Sequence, residues 1–417
     1  MIATERHALL REILAWVTLA AGLAGCGGAG QDPKSSGAAA QPAPQAIAPQ
    51  NPAGQPAPTP AAGASAATSA QSEEAYDKGA ALAAEGKLQE ARAVFEAASR
   101  RDPLDGSLAS GVAILRDVDE GRANGEAVQR IFRAMEHANA QRWEEAHFDV
   151  DEALKLAPRY PYAYATRATL HVFQGQYPNA LAALDEALKL DPKYAQGYYN
   201  RGAVRAELRQ FDAAIADYTR AIELQPTLWE AYRNRGSAYT HKNDPQAAIA
   251  EFTKAHELRP RDVDTLLLRG AVESATNQWD AAIADFTKVI ELDARNGAAY
   301  YNRGLGYDQK GDADRAMADY TKAIELEPTD PSPLINRGRI YMGRREYDRA
   351  IADYDKAFVV APGLMLARFN KAVALDRAGR PQEAIHEYRT FLQIAGPDDE
   401  ANASQARQRL ATLERQE

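Results

Sequence analysis

One spacing constrains this chain more than any other feature: the same short pattern returns every 34 residues. The segments ending at Pro226, Pro260, Ala294, Pro328 and Pro362 follow one another at that step, and stepping backwards gives Pro192 and Pro158. Ala180, Ala214, Ala248, Ala282, Ala316, Ala350 and Ala384 share the period, as do Ala168, Gly202, Gly236, Gly270, Gly304, Gly338 and Ala372. An aromatic ring comes four residues after most of the first set, at Tyr218, Phe252, Phe286, Tyr320, Tyr354 and Tyr388. A chain of 417 residues would otherwise suggest about three domains. Self-similarity of this length points instead to one stacked array, because each unit carries an apolar face that only its neighbours cover.

Each period reads as two helices. Over 195–228, apolar and small residues recur at helical spacing in two runs, with a polar break near position 209. The matching breaks hold Gly175, Gly311 and Gly379, or Asn243 and Asn277, residues that accept the left-handed geometry following a helix. The proline closing each unit cannot continue a helix. Composition agrees: 86 alanines stand against ten Phe and four Trp, so the core is built from small side chains and closely approaching helices. That balance disfavours an all-β fold, which needs Val, Ile, Thr and aromatic residues. The first unit spans 73–105, marked by Gly79, Ala91, Phe95, Ala98 and Pro103, and eight more span 127–398. Between them, 106–126 breaks the register; helical spacing in this stretch reads as an extra helix or a degenerate repeat. Residues 399–417 read as a capping helix carrying Leu410 and Leu413.

This combination of period and offsets resembles the tetratricopeptide repeat (TPR) family over 73–398. The resemblance implies an all-α, right-handed superhelical solenoid of helix-turn-helix repeats with a concave groove that receives peptide. It specifies a fold far better than a partner.

The N-terminus carries a different signal. Ile13 to Gly25 runs without a charge, too short to span a bilayer but matched to the apolar core and small-residue end of a secretory signal over 1–25. Leu23, Ala24, Gly25 and Cys26 resemble the lipobox of bacterial lipoproteins, in which the cysteine is acylated. Cys26 is the chain's single cysteine, which excludes an internal disulfide and a cysteine-based zinc site. The stretch 26–72 holds eight prolines with many Ala, Gly, Gln and Ser, and reads as a disordered tether. Together these imply a lipid-anchored protein of the bacterial cell envelope, on the periplasmic face of the outer membrane.

No enzyme signature accompanies the repeats. Seven histidines are scattered without an HExxH spacing, and no glycine-rich loop ends in GK[ST], so no catalytic residue, metal site or cofactor is expected. A net charge of −9 argues against a nucleic-acid partner. What recurs instead is Asn200, Asn234, Asn302, Asn336 and Asn370, an amide ladder that in some TPR proteins bonds the backbone of an extended peptide. Asparagine is also common at this position in TPR sequences for structural reasons. The residues just before the ladder form a largely apolar stripe that includes Tyr199, Tyr301, Ile335 and Phe369, with Arg233 interrupting it. Family geometry places both in the groove, edged for an extended or helical peptide. The next residue is Arg133, Arg167, Arg201, Arg235, Arg269, Arg303, Arg337 or Lys371, and sixteen positions on lies an acid in every unit but one, where Ala183 stands. These read as ion pairs within repeats. The expected function is a non-catalytic interaction scaffold or assembly adaptor for protein or peptide partners. The alternative is a regulatory or substrate-presenting subunit of an enzyme system acting in trans, such as a peptidoglycan hydrolase or glycosyltransferase. Nothing in the sequence sets the oligomeric state.

Overall fold

The computed structural model describes residues 63–396 and 399–415, and its regular elements there are all α-helices. Cys26 and the leader lie outside the described residues. Two compact units divide the described chain after Thr276. The first holds α1 (Gly63–Ala84), α2 (Leu88–Ser99), α3 (Gly106–Asp119), α4 (Gly125–Asn139), α5 (Trp143–Leu156), α6 (Pro161–Phe173), α7 (Tyr177–Leu190), α8 (Ala195–Glu207), α9 (Phe211–Leu224), α10 (Trp229–His241), α11 (Pro245–Leu258) and α12 (Val263–Ala275). The second holds α13 (Trp279–Leu292), α14 (Gly297–Gln309), α15 (Ala313–Leu326), α16 (Ser332–Gly343), α17 (Tyr347–Val360), α18 (Met365–Arg377), α19 (Pro381–Ile394) and α20 (Glu400–Leu413). Within each unit, consecutive helices pack as antiparallel-type pairs, and each pair packs on the next.

The turns inside the pairs follow from helix-end chemistry. Gly175 has φ +69°, its N–H donates to Val172 O at 2.9 Å, and the Gln176 N–H donates to His171 O at 2.8 Å. This is the two-bond closure that satisfies the last carbonyls of a helix and needs a left-handed residue. Asn243 and Asn277 adopt the same conformation, as expected, but so do Gln141, Arg209 and Arg345, which sequence alone does not mark for it.

The extra residues at 106–126 resolve as a single helix, α3, capped by Asp105, whose carboxylate accepts from the Ser107 and Leu108 N–H groups. The first helix reaches back to Gly63, ten residues into the stretch read as tether. After Pro60 that stretch has no further proline and is rich in alanine, the best helix former, so the helix continues backwards. At the other end α20 caps the second unit with Leu413 buried and Leu410 against the core, while Arg409 holds Asp376 through two 2.8 Å bonds.

A small residue facing a ring holds each pair together. A Cβ placed on Gly202 would lie 2.8 Å from Tyr218 Cε1 and 3.2 Å from Ala214 O, so only glycine admits the ring at this distance. Gly236 with Phe252, Gly304 with Tyr320 and Gly338 with Tyr354 repeat the contact. Where Ala134 and Ala168 take the small position, Val150 and Leu184 stand in place of the ring, whereas Ala372 keeps one at Tyr388.

A ladder of guanidinium groups runs beside these contacts. Arg201 bonds Asp217 at 3.0 and 2.7 Å, Arg303 bonds Asp319 at 2.8 Å twice, and Arg337 bonds Asp353 at 2.8 and 2.7 Å. Arg133 with Asp149, Arg235 with Glu251 and Lys371 with Glu387 follow the expected pattern. The same cations also reach sixteen residues back to the preceding pair: Arg201 to Asp185, Arg235 to Thr219, Arg269 to Thr253, Arg337 to Thr321 and Lys371 to Asp355. Opposite Ala183 the forward partner is missing, and Arg167 bonds backwards to Asp151 at 2.5 Å. The ladder therefore joins pairs as well as closing them.

Replacing Gly202 by Ala drives a methyl group into the Tyr218 ring. The overpacking is expected to destabilise the protein by about 1–3 kcal/mol, measured as a lower urea midpoint at unchanged helix content.

Candidate peptide-binding face

The structure places the predicted groove residues differently from the family picture. Tyr199, Tyr301, Ile335 and Phe369 are buried between pairs rather than presented to solvent, Tyr199 being only 2 % exposed and Phe369 7 %. Their rings and branched chains fill the space beside the repeat aromatics, as Tyr199 does against Tyr218 and Tyr301 against Tyr320, each with centroids 6.0 Å apart. An apolar stripe one residue before the ladder is therefore core.

The asparagines divide according to what precedes them by one repeat. Asn234 Nδ2 donates to Tyr199 Oη at 3.2 Å and Asn336 Nδ2 to Tyr301 Oη at 3.1 Å, and both amides are buried. These two satisfy tyrosine hydroxyls, which burial would otherwise leave costly. Both hydroxyls are pushed far above the ordinary tyrosine range by that burial. Where the residue 35 positions earlier has no hydroxyl, the amide is not consumed in this way. Ala165 stands there for Asn200, which is partly exposed and accepts from Gln196 Nε2 at 3.0 Å. Ile335 stands there for Asn370, which is buried with its Nδ2 unpartnered among the described residues. Asn302 is partly exposed. The signal that separates the two classes, a tyrosine 35 residues upstream, was present in the sequence.

Sequence reasoning missed a polar cluster in the first unit. Arg233, the one charge in the apolar stripe, is 4 % exposed, with Nη1 3.4 Å from Asp262 and 3.6 Å from Asp264. Its guanidinium lies 4.9 Å from the Trp229 ring centroid, and that of Arg259 lies 5.8 Å from the same ring. Arg259 in turn bonds both oxygens of Asp102, at 2.9 and 3.0 Å, across 157 residues of chain. Gly106, at the start of α3, lies so close that a Cβ there would be 3.8 Å from Glu230 Oε1. At the other end of α3, Tyr160 Oη donates to Ile114 O at 3.5 Å and lies 3.4 Å from Asp117 Oδ2. Residues 102–119 thus run along one edge of the repeats between Tyr160 and Arg259. The Glu230 carboxyl is pushed up to about 7, mainly by burial, with Asp105 adding to the effect and Arg233 and Arg259 opposing it. Its Oε2 and the Trp229 Nε1 have no hydrogen-bond partner among the described residues. Burial together with Asp262 likewise holds the Asp264 carboxyl above its usual range.

Comparison with known proteins supports the repeat reading. A tetratricopeptide repeat model matches residues 165–228, 204–263 and 335–400, and a second tetratricopeptide repeat model matches 297–330. No curated protein matches the chain. Similar solved structures include YrrB, described as a TPR protein with an unusual peptide-binding site, at 24 % identity, covering 44 % of this chain and 95 % of that one, with a TM-score of 0.41. A tetratricopeptide repeat protein from Parabacteroides merdae is 23 % identical, covering 60 % of this chain and 100 % of that one, with a TM-score of 0.42. PilF from Pseudomonas aeruginosa is 17 % identical, covering 50 % and 95 %, with a TM-score of 0.45.

The raised Glu230 carboxyl fixes the sign of a pH effect. The folded state keeps this proton where the unfolded chain has lost it, so stability falls as pH rises from about 4.5 to about 7 and is flat above. Glu230→Gln is therefore expected to gain on the order of 3 kcal/mol relative to wild type between pH 5 and pH 8, read by chemical denaturation at both values.

Proposed function

Because the chain carries tetratricopeptide repeats, we propose that it is a non-catalytic scaffold that captures a peptide segment of a partner protein on the repeat face and holds it at a membrane surface. The observation that carries the capture is the division of the ladder. Asn200 in the first unit and Asn302 in the second each retain a partly exposed amide on a helix, and an amide offers a donor and an acceptor to a peptide group of any sequence. Asn234 and Asn336 are spent on tyrosine hydroxyls and belong to the scaffold.

The membrane part of the proposal rests on Cys26 and the apolar run before it. Acylation there would attach the array to the bacterial envelope, with residues 27–62 between lipid and first helix. Stable attachment requires more than one acyl chain, which the lipoprotein resemblance supplies. The partner's chemistry is then that of a protein segment presented at the periplasmic face of the outer membrane.

Two experiments test this reading. Replacing Asn200 and Asn302 together by Ala should reduce crosslinked capture of the partner at least tenfold with unfolding midpoints unchanged; equal capture at equal stability would remove the amides from the site. Cys26→Ser should move the protein from the membrane fraction to the soluble envelope fraction, and unchanged retention would overturn the lipid anchor.

A further inference from the structure

We propose that residues 102–119 are a releasable strap, anchored on α2 and lying over the edge of the first unit that carries Trp229, Glu230 and Arg259, closed at its N-terminal end by the Asp102–Arg259 clasp and opened there by an acidic partner segment. The inference rests on the reading of the chain as a peptide-capturing scaffold and adds a second receiving edge in the first unit.

The array does not require α3 for continuity. It lies outside the 34-residue register and packs mainly on α2, while α4 packs directly on α1 beside it. One face of α3 belongs to the core, with Leu108 and Leu115 buried and Gly111 against the Phe95 ring. Its two ends are held by polar contacts of a different kind. The C-terminal end is anchored to α2 through Asp119, which pairs with Arg92 and accepts from Gln89 Nε2 at 2.9 Å, and it touches Tyr160 at 3.5 and 3.4 Å. The N-terminal end is held by the two-bond Asp102–Arg259 pair, the strongest geometry a guanidinium and a carboxylate adopt. Asp105 is already committed to capping α3, so Asp102 alone closes the strap on this side.

The groups beside the clasp identify what replaces it. Closed, the strap leaves the Glu230 Oε2 and Trp229 Nε1 buried without hydrogen bonds. A peptide unit offers an N–H to the first and a carbonyl to the second, and an acidic side chain next to it takes over Arg259. The strap itself has this chemistry, an acid followed by a helix, but reaches only Arg259. Charged groups facing Glu230 are Arg233 on its own helix, Arg259 after α11 and Asp105 before α3. Deprotonation of Glu230 near neutral pH places negative charge against Asp105, which favours release. An incoming peptide that donates to Glu230 stabilises the same charged form.

The test uses the full chain and a labelled synthetic peptide of residues 100–120. In Asp102→Asn, which keeps the shape and removes the charge, amide exchange across 106–119 is expected to rise at least tenfold, with exchange over 177–224 of the same unit unchanged as the control for folding. The peptide should bind this variant at least tenfold more tightly than it binds wild type. Arg259→Ala should show the same faster exchange but no gain in peptide binding, because it removes the residue that reads the acid. Exchange over 106–119 equal to wild type in both variants would overturn the strap. Faster exchange without peptide binding to Asp102→Asn would overturn its replacement by an acidic segment. The capture reading fails separately, through capture that survives loss of Asn200 and Asn302.

Discussion

The close approach of a helix to a ring is what the rest of the structure depends on. Gly202 against Tyr218 has no room for a methyl group, and the same contact recurs at Gly79 with Phe95, Gly236 with Phe252, Gly304 with Tyr320 and Gly338 with Tyr354. Once that distance is set, the two helices of a pair are fixed, the residue before the ladder is driven into the core, and the arginine after it is brought within bonding distance of an acid. The chain's many alanines serve the same end, since they let helices approach where a larger side chain would hold them apart. The packing is local and repetitive, which is why stability in such an array is a sum of pair and neighbour terms.

The guanidinium ladder adds a second kind of order. A carboxylate as enclosed as Asp353, 3 % exposed, is costly without its cation, so removing Arg337 leaves an uncompensated charge worth several kcal/mol. The pairs therefore specify register more than they add net stability. Because Arg201, Arg235, Arg303 and Arg337 also reach the preceding pair, an error in stacking there breaks two contacts at once. Ala183 interrupts this arrangement, and there the apolar pair Ala168 and Leu184 holds the helices without a forward ion pair.

How much of this was legible in the sequence depends on the range of the interaction. The helices, their pairing, the ring contacts and the forward ion pairs all follow from residues within sixteen positions of one another, and the period displays them. The core location of Tyr199 and Tyr301 was not legible from position alone, because a peptide groove and an interior contact place the same apolar residue at the same offset. Its hydroxyl gave the answer, since a buried Tyr needs a donor and Asn234 or Asn336 stands one repeat later. The edge near Glu230 was beyond reach for a different reason. The start of α3, which lies beside it, is more than a hundred residues upstream, in the one stretch where the period fails. Arg233 was visible as a charge in an apolar stripe, but Asp262 and Asp264 had no spacing that marked them as its partners.

The Asp102–Arg259 clasp has a consequence for how a protein of this kind evolves. Repeat arrays lengthen and shorten by duplication and loss of whole units, and the guanidinium ladder tolerates such events because every rung reaches only its neighbours. The clasp does not. It joins two points separated by 157 residues, so adding or deleting one 34-residue unit between them would carry Arg259 away from Asp102. In that stretch the number of repeats is a measured length, fixed by where the two ends must meet, while the repeats after it remain free to vary.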